Sequence, residues 1–251
     1  MKPFAWMAVA IPLLTQAQTR NTAFQDGEKL TYRVHYGFVD AGTAELELKQ
    51  DNKMLGNMAV YHAVGIGHTN RTFDWFFKVR DRYETYIDRS TLNPLLFVRK
   101  VDEGGYKINQ NQIYQQKQNN VISDGKNMKV PDNIQDMLSA FYYARNIDYS
   151  NATVGQVFTI TTFVDNEIFP LKIRFVGKEV IDSDIGEIRC LKFHPVIQKG
   201  RVFKNEDDLN MYISDDANRI PIRVEAKLLV GSVRMDLKRF ENVRNPLSLV
   251  R

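Results

Sequence analysis

Alternation of apolar and polar residues with a period of two runs through almost the whole chain, and a single stretch of helical spacing interrupts it. In residues 27–37, GEKLTYRVHYG, Leu30, Tyr32, Val34 and Tyr36 fall on one face and Thr31, Arg33 and His35 on the other, the pattern of a half-buried strand. Residues 41–49 set Ala44, Leu46 and Leu48 against Glu45, Glu47 and Lys49, the spacing of an antiparallel hairpin. Residues 58–67, 157–164, 169–176, 188–196, 209–214, 220–229 and 233–240 also read as strands. The exception is residues 131–145, PDNIQDMLSAFYYAR. Pro131 and Asp132 form a start signal, and Ile134, Met137, Leu138, Phe141, Tyr142 and Arg145 recur at spacings of three and four. A lone helix with one apolar face, set among strands, can bury that face on the hollow side of a bent sheet. The expected fold is therefore all-β, a curved antiparallel sheet or open β-barrel of roughly a dozen strands, with one helix (132–146) packed on the concave side.

A chain of 251 residues with 43% hydrophobic and 25% charged residues can bury a core. The net charge of +4 is spread without a dense Lys/Arg run, which argues against a nucleic-acid partner. Lys2, an apolar run from Phe4 to Leu14 and the small residues near Ala17 read as a secretory signal peptide. The run is shorter than the about 20 residues that span a bilayer, so cleavage near Ala17 would release a periplasmic or secreted protein, not an integral membrane protein. The expected boundaries are a signal peptide at 1–17, a flexible N-terminus at 18–25, a single β-rich domain at 26–242 and a tail at 243–251. Cys190 is the sole cysteine, so no internal disulfide can form; it reads as a small buried residue and not as a nucleophile.

Two stretches, YIDRSTLNPLLFVRK (86–100) and YISDDANRIPIRVEA (212–226), share a Tyr-Ile start, an acidic turn, a proline and an alternating strand. They suggest two similar meanders flanking the helix. The Asn/Gln-rich residues 106–130 read as polar strands at a sheet edge, or as a low-complexity loop. Residues 199–208 are charged and read as a surface loop.

The motifs GEKLTYRVHYGFVDAGTAELEL, VRDRYETYIDRSTLNPLLFVRK, DMLSAFYYAR and GKEVIDSDIGEIRCLKFHP, in that order, resemble the exported bacterial family called domain of unknown function 3108. The likeness extends over residues 26–242. It implies a mainly β envelope protein of Gram-negative bacteria and supplies no catalytic residues.

Gly-x-Ser-x-Gly is absent, and the four histidines, His35, His62, His68 and His194, have no metal-binding spacing. No cofactor or metal is expected. The aromatic excess is the stronger lead, because Phe73, Trp75 and Phe77 would share one strand face while Phe76 takes the other. The expectation is a non-enzymatic protein that binds a hydrophobic or amphipathic ligand, lipid or glycan, or an envelope protein partner, in the hollow between sheet and helix. Trp75, Phe77, Phe141 and Tyr142 would line the site, and Arg80 or Arg145 would meet a polar head. Two alternatives remain open. Asp74, Asp81 and Glu84 would serve a hydrolase acting on envelope polysaccharide, and an exposed edge near residues 110–120 would serve an assembly factor.

Overall fold

The computed structural model describes residues 20–196 and 208–250. The expected signal peptide and nearly all of the charged stretch at 199–208 lie outside the described residues. The strands are β1 (Lys29–Tyr36), β2 (Val39–Leu48), β3 (Met54–Leu55), β4 (Met58–Thr69), β5 (Arg80–Asp88), β6 (Pro94–Glu103), β7 (Tyr106–Gln115), β8 (Asn120–Ser123), β9 (Lys126–Lys129), β10 (Val157–Val164), β11 (Glu167–Ser183), β12 (Gly186–Pro195), β13 (Leu209–Ser214), β14 (Pro221–Lys227) and β15 (Ser232–Glu241). All but β3 lie on one antiparallel path that starts with β10 to β15 in sequence order, passes to β1, β2 and β4, and ends with β5 to β9; β3 pairs with β4. The fold is thus all-β, an open sheet, with helix α2 (Met137–Ala144) inside the curve. Leu138 and Tyr142 of α2 join Leu48, Ala63, Ile87, Phe97 and Phe163 from the sheet in one buried cluster.

The helix is shorter than its spacing suggests and begins five residues later. Residues 131–133 form a turn with Asn133 at φ 57°, and Gln135 is spent on the free edge of β10. Its N–H donates to the Thr161 carbonyl (2.9 Å) and its carbonyl accepts from Phe163 N–H (2.8 Å). Asp136 is the true cap, accepting from Leu138 and Ser139 N–H at 2.7 Å while Ser139 Oγ accepts from Asp136 N–H at 2.9 Å, a reciprocal capping box with serine at its third position.

Antiparallel pairing puts successive connections at alternate ends. The lower end holds the β5–β6 and β13–β14 turns, the start of β1 and the C-terminus of α2; the upper rim holds the β1–β2, β4–β5, β6–β7 and β14–β15 connections. The segment at 18–25, expected to be flexible, is packed from Asn21 onward. Ala23 and Phe24 are fully buried, and Phe24 meets Tyr61 and Tyr142 edge to face. An aromatic ring that plugs the lower end has more to gain from burial than an isolated polar stretch would suggest. The tail at 243–251 is likewise engaged, with Leu249 bridging Ile188 and Asn218 Nδ2 donating to the Asn245 carbonyl at 2.8 Å.

The two meanders share local geometry. Register shifts occur after Tyr86 and after Tyr212, which then set Ile87 opposite Pro94 and Ile213 opposite Pro221. Two residues before each proline the backbone is left-handed, at Leu92 (φ 61°) and Arg219 (φ 50°). Residues 106–130 are strands β7, β8 and β9 around a 3-10 turn, but β7 is paired on both sides. The true edge is the four-residue β9, Lys-Asn-Met-Lys, whose brevity and lysines discourage edge-to-edge pairing.

Candidate functional site

Small residues on the inner face of β4 make room beside the helix. Leu48, Leu46 and Ala44 of β2 oppose Ala63, Gly65 and Gly67 of β4. A Cβ on Gly65 would lie 3.3 Å from Leu46 Cδ2 and 3.7 Å from Leu138 Cδ1, so the missing side chain lets the helix approach a thin wall. Next to that wall is a trough of about 250 Å³ lined by Ala44, Leu46, Gly65, Tyr83, Met137 and Leu138, with Asp81 at its margin. A second, more enclosed trough of about 180 Å³ lies across the helix, where Phe141 and Ala144 face Ile160, Leu171, Ile173 and Ile213. Met137, exposed at the first turn of α2, lines both.

Polar groups gather along the first trough. Burial, followed by a hydrogen bond with Asp81 and the charge of that residue, raises the Glu103 carboxyl above its ordinary range. Tyr83 is pushed up to about 12, first by burial and then by the charges of Asp81 and Glu103. Arg99 is buried directly across from Tyr83, with Nη2 donating to Asp165 at 2.5 Å and Nε without a partner among the described residues. This side of the hollow can thus hold an apolar chain, with the Asp81 and Tyr83 side chains at its margin.

The residues singled out in the sequence do not form one lining. Phe141 and Arg145 both line the second trough. Tyr142 is buried in the core against Phe24. Arg145 is held inside the protein: Nη1 and Nη2 donate to the two Glu28 oxygens at 2.5 and 2.8 Å, Nε to the Asn218 carbonyl and Nη2 also to that of Ala23. A guanidinium so committed is not free for a ligand head. Trp75 and Phe77 are not in the hollow at all. Residues 68–79 do not continue one strand face, because β4 stops at Thr69 and Asn70 caps a single helical turn, α1 (Arg71–Asp74), accepting from Phe73 N–H at 3.0 Å. That turn carries Trp75, Phe76 and Phe77 out to the upper rim.

Arg80 also sits there, donating to Asp74 at 2.6 Å, and its hydrogen bond holds the Asp74 carboxyl below the usual range. Glu84 accepts from Arg82 Nε (2.8 Å) and lies 2.9 Å from His62 Nε2; it alternates with inward-facing Asp81 on β5. Asp74, Asp81 and Glu84 therefore do not face one another across a cleft. Cys190 is buried, and burial pushes its thiol up to about 12, as suits a packing residue.

Met137, which the sequence marks only as part of the apolar helix face, Arg99 and the glycine pair are not singled out there as site residues. Gly65-Ile66-Gly67 within an otherwise alternating strand was the available signal, since strand glycines at i and i+2 thin one face. Arg99 had no such mark, because its inward orientation depends on the register of β6.

An open, antiparallel sheet curved around an internal helix defines a β-barrel-like protein. The chain belongs to the family described as protein of unknown function (DUF3108), whose model matches residues 31–238. In fold it is similar to a crystal structure of a β-barrel-like protein of domain of unknown function DUF1849 from Brucella abortus, at 8% identity and a TM-score of 0.56, covering 89% of this chain and 100% of that one. Weaker similarities are to a candidate lipoprotein from Parabacteroides distasonis (11% identity, TM-score 0.40, 88% and 100% covered) and a candidate exported protein with a YmcC-like fold from Bacteroides fragilis (13%, 0.35, 87% and 97%). No match was found among curated proteins. No helix among the described residues is long and apolar enough to cross a membrane.

Proposed function

We propose that the protein is exported to the periplasm and there binds the apolar chain of an amphipathic lipid in the hollow beside α2. The supporting observation is the pair of apolar troughs, about 250 and 180 Å³, that the core leaves unfilled on either side of the helix and that meet at Met137. Interiors of folded proteins ordinarily close such spaces, and apolar pockets with a few convergent polar groups are the usual form of ligand sites. The N-terminal apolar run supports export.

Native mass spectrometry of the chain purified from a bacterial envelope tests this reading, together with titration by a fluorescent fatty acid. The expected results are a co-purifying lipid mass and saturable binding. Met137→Trp, which would fill the junction of the troughs, is expected to weaken binding about tenfold or more. A chain that carries no lipid and leaves the probe in water would end the proposal.

A further inference from the structure

The largest apolar feature that the troughs leave unexplained is the upper rim. Four connections are tied into one platform there: the Tyr36 hydroxyl donates to the Val230 carbonyl at 3.0 Å, Asn70 Nδ2 donates to the Asp40 carbonyl, and Val79 bridges Glu103. Phe73 and Phe76 pack around Tyr36 with ring centroids 6.0 and 6.3 Å away. Two glycines permit the close packing, since a Cβ on Gly104 would fall 2.7 Å from the Phe77 ring and one on Gly231 2.8 Å from that of Tyr36. From this platform Phe38, Trp75, Phe76 and Val230 project, at 107, 84, 62 and 76% exposure.

Around α1 little polar backbone is left to desolvate. Phe73 and Asp74 N–H donate to the Asn70 carbonyl, Phe76 and Phe77 N–H to that of Phe73, and Asn70 N–H to that of Ala41. Asp74 accepts from Thr69 and Arg80. Arg71 and Lys78, exposed on either side of the aromatic tips, have no ion-pair partner among the described residues.

We propose that this rim docks on the surface of an anionic lipid bilayer. Phe38, Trp75, Phe76 and Val230 enter the interfacial layer, and Arg71 and Lys78 meet lipid phosphates. Three features favour a bilayer over a protein partner. The apolar groups stand on three separate turns, Phe38 on one, Trp75 with Phe76 on a second and Val230 on a third, which a soft layer accepts one by one and a protein surface would need matching pits to receive. Tryptophan and phenylalanine at the tips with unpaired cations beside them are the composition of interfacial anchors. The cations complement the negative potential of an anionic leaflet. The proposal holds whether or not the troughs carry a chain.

The chain beginning at Gln18, which contains the whole described fold, supplies its own probe, because Trp75 is then the sole tryptophan. It is mixed with vesicles of phosphatidylcholine alone and of phosphatidylcholine with phosphatidylglycerol. The expected result is a shift of Trp75 emission to shorter wavelength and quenching by lipids brominated on the acyl chain, both stronger on the anionic vesicles. Phe38→Ser with Phe76→Ser is expected to weaken binding by about tenfold or more. Arg71→Glu with Lys78→Glu is expected to abolish the preference for phosphatidylglycerol and its sensitivity to salt. Thermal melts establish that each variant is folded. Unmoved emission on both vesicles, or binding that survives loss of Phe38 and Phe76, overturns the proposal. Lipid-free self-association that disappears in the Phe38→Ser, Phe76→Ser variant, without vesicle binding, also overturns it by assigning the rim to a second copy.

Discussion

The two ends of the sheet use similar side chains to opposite effect. At the lower end Phe24, Phe141 and Tyr142 surround Arg145, whose guanidinium lies 5.5 to 5.7 Å from their ring centroids and is paired with buried Glu28. At the upper rim Phe38, Trp75 and Phe76 stand in solvent beside Arg71 and Lys78, which have no ion-pair partner among the described residues. Aromatic rings next to arginine form an inward-facing lock in one place and an outward-facing surface in the other. What separates them is the chain around each: at the lower end residues 21–28 and 242–246 fold over the aromatic residues, while at the rim single turns carry them outward. The same composition therefore implies stability at one end and contact at the other, and substitutions at the two ends should separate cleanly.

The largest effect is expected from splitting the lower pair. Arg145→Met leaves the Glu28 carboxylate buried without its cation, at a cost of about 3 to 5 kcal/mol. Urea unfolding measures it directly. Adding Glu28→Leu should restore much of the loss, because an apolar pair replaces an uncompensated charge. If the single variant is as stable as the parent, the lower end is not the lock described.

The lower end was the harder of the two to read in the sequence. Arg145 had the helical spacing that places it on the same face as Phe141 and Tyr142, so its inward direction was legible. Its partner Glu28 sits more than a hundred residues away, before β1, and nothing local marks Glu28 as buried. The alternating strands and the helix were legible because period two and period 3.6 are properties of neighbouring residues. The start of the helix was not, because Pro131-Asp132 offers a start signal as good as the Asp136-x-x-Ser139 box that prevails. Tertiary demand decides between them, since Gln135 is needed on the edge of β10. At the rim, the aromatic excess of residues 73–77 was visible as a feature requiring an explanation, yet period-two counting put it on a strand. Asn70, an N-cap residue followed by Arg-Thr-Phe-Asp, was the signal for a turn of helix instead.

A smaller effect, of defined sign, should come from the cap of α2. Burial pushes the Asp136 carboxyl up to about 6, outweighing the hydrogen bonds from Thr85 and from Ser139 and Leu138 N–H that pull it down. The unfolded chain has its carboxyl near the ordinary 3.8. The folded state therefore holds the proton more tightly. The stability from this group is fully present below about pH 4 and declines as pH rises toward 6, by up to about 1.4 kcal/mol per pH unit, or about 3 kcal/mol in all. Above that window the contribution is flat. Asp136→Asn cannot titrate, so the stability difference, variant minus parent, should become more positive from pH 4 to pH 6 and then level. Denaturant melts across that range check it, with other groups cancelling in the difference. A difference constant with pH would mean that the buried cap carries the same charge in both states.

The smallest effect is expected at the rim, and its smallness is the informative result. Phe38→Ser and Trp75→Ser remove large apolar groups that make few buried contacts, so each should change unfolding free energy by no more than about 0.5 kcal/mol. In a core position the same truncations would cost about 3 to 5 kcal/mol. Phe77 offers the internal control, since its ring lies against Gly104 and is less exposed than Trp75; Phe77→Ser should cost measurably more than Trp75→Ser in the same urea titration. If Phe38 and Trp75 prove as costly as core residues, the rim is folded against part of the chain, and its exposed aromatics serve stability as those around Arg145 do. If they are neutral for folding, their apolar surface is kept for something other than the fold.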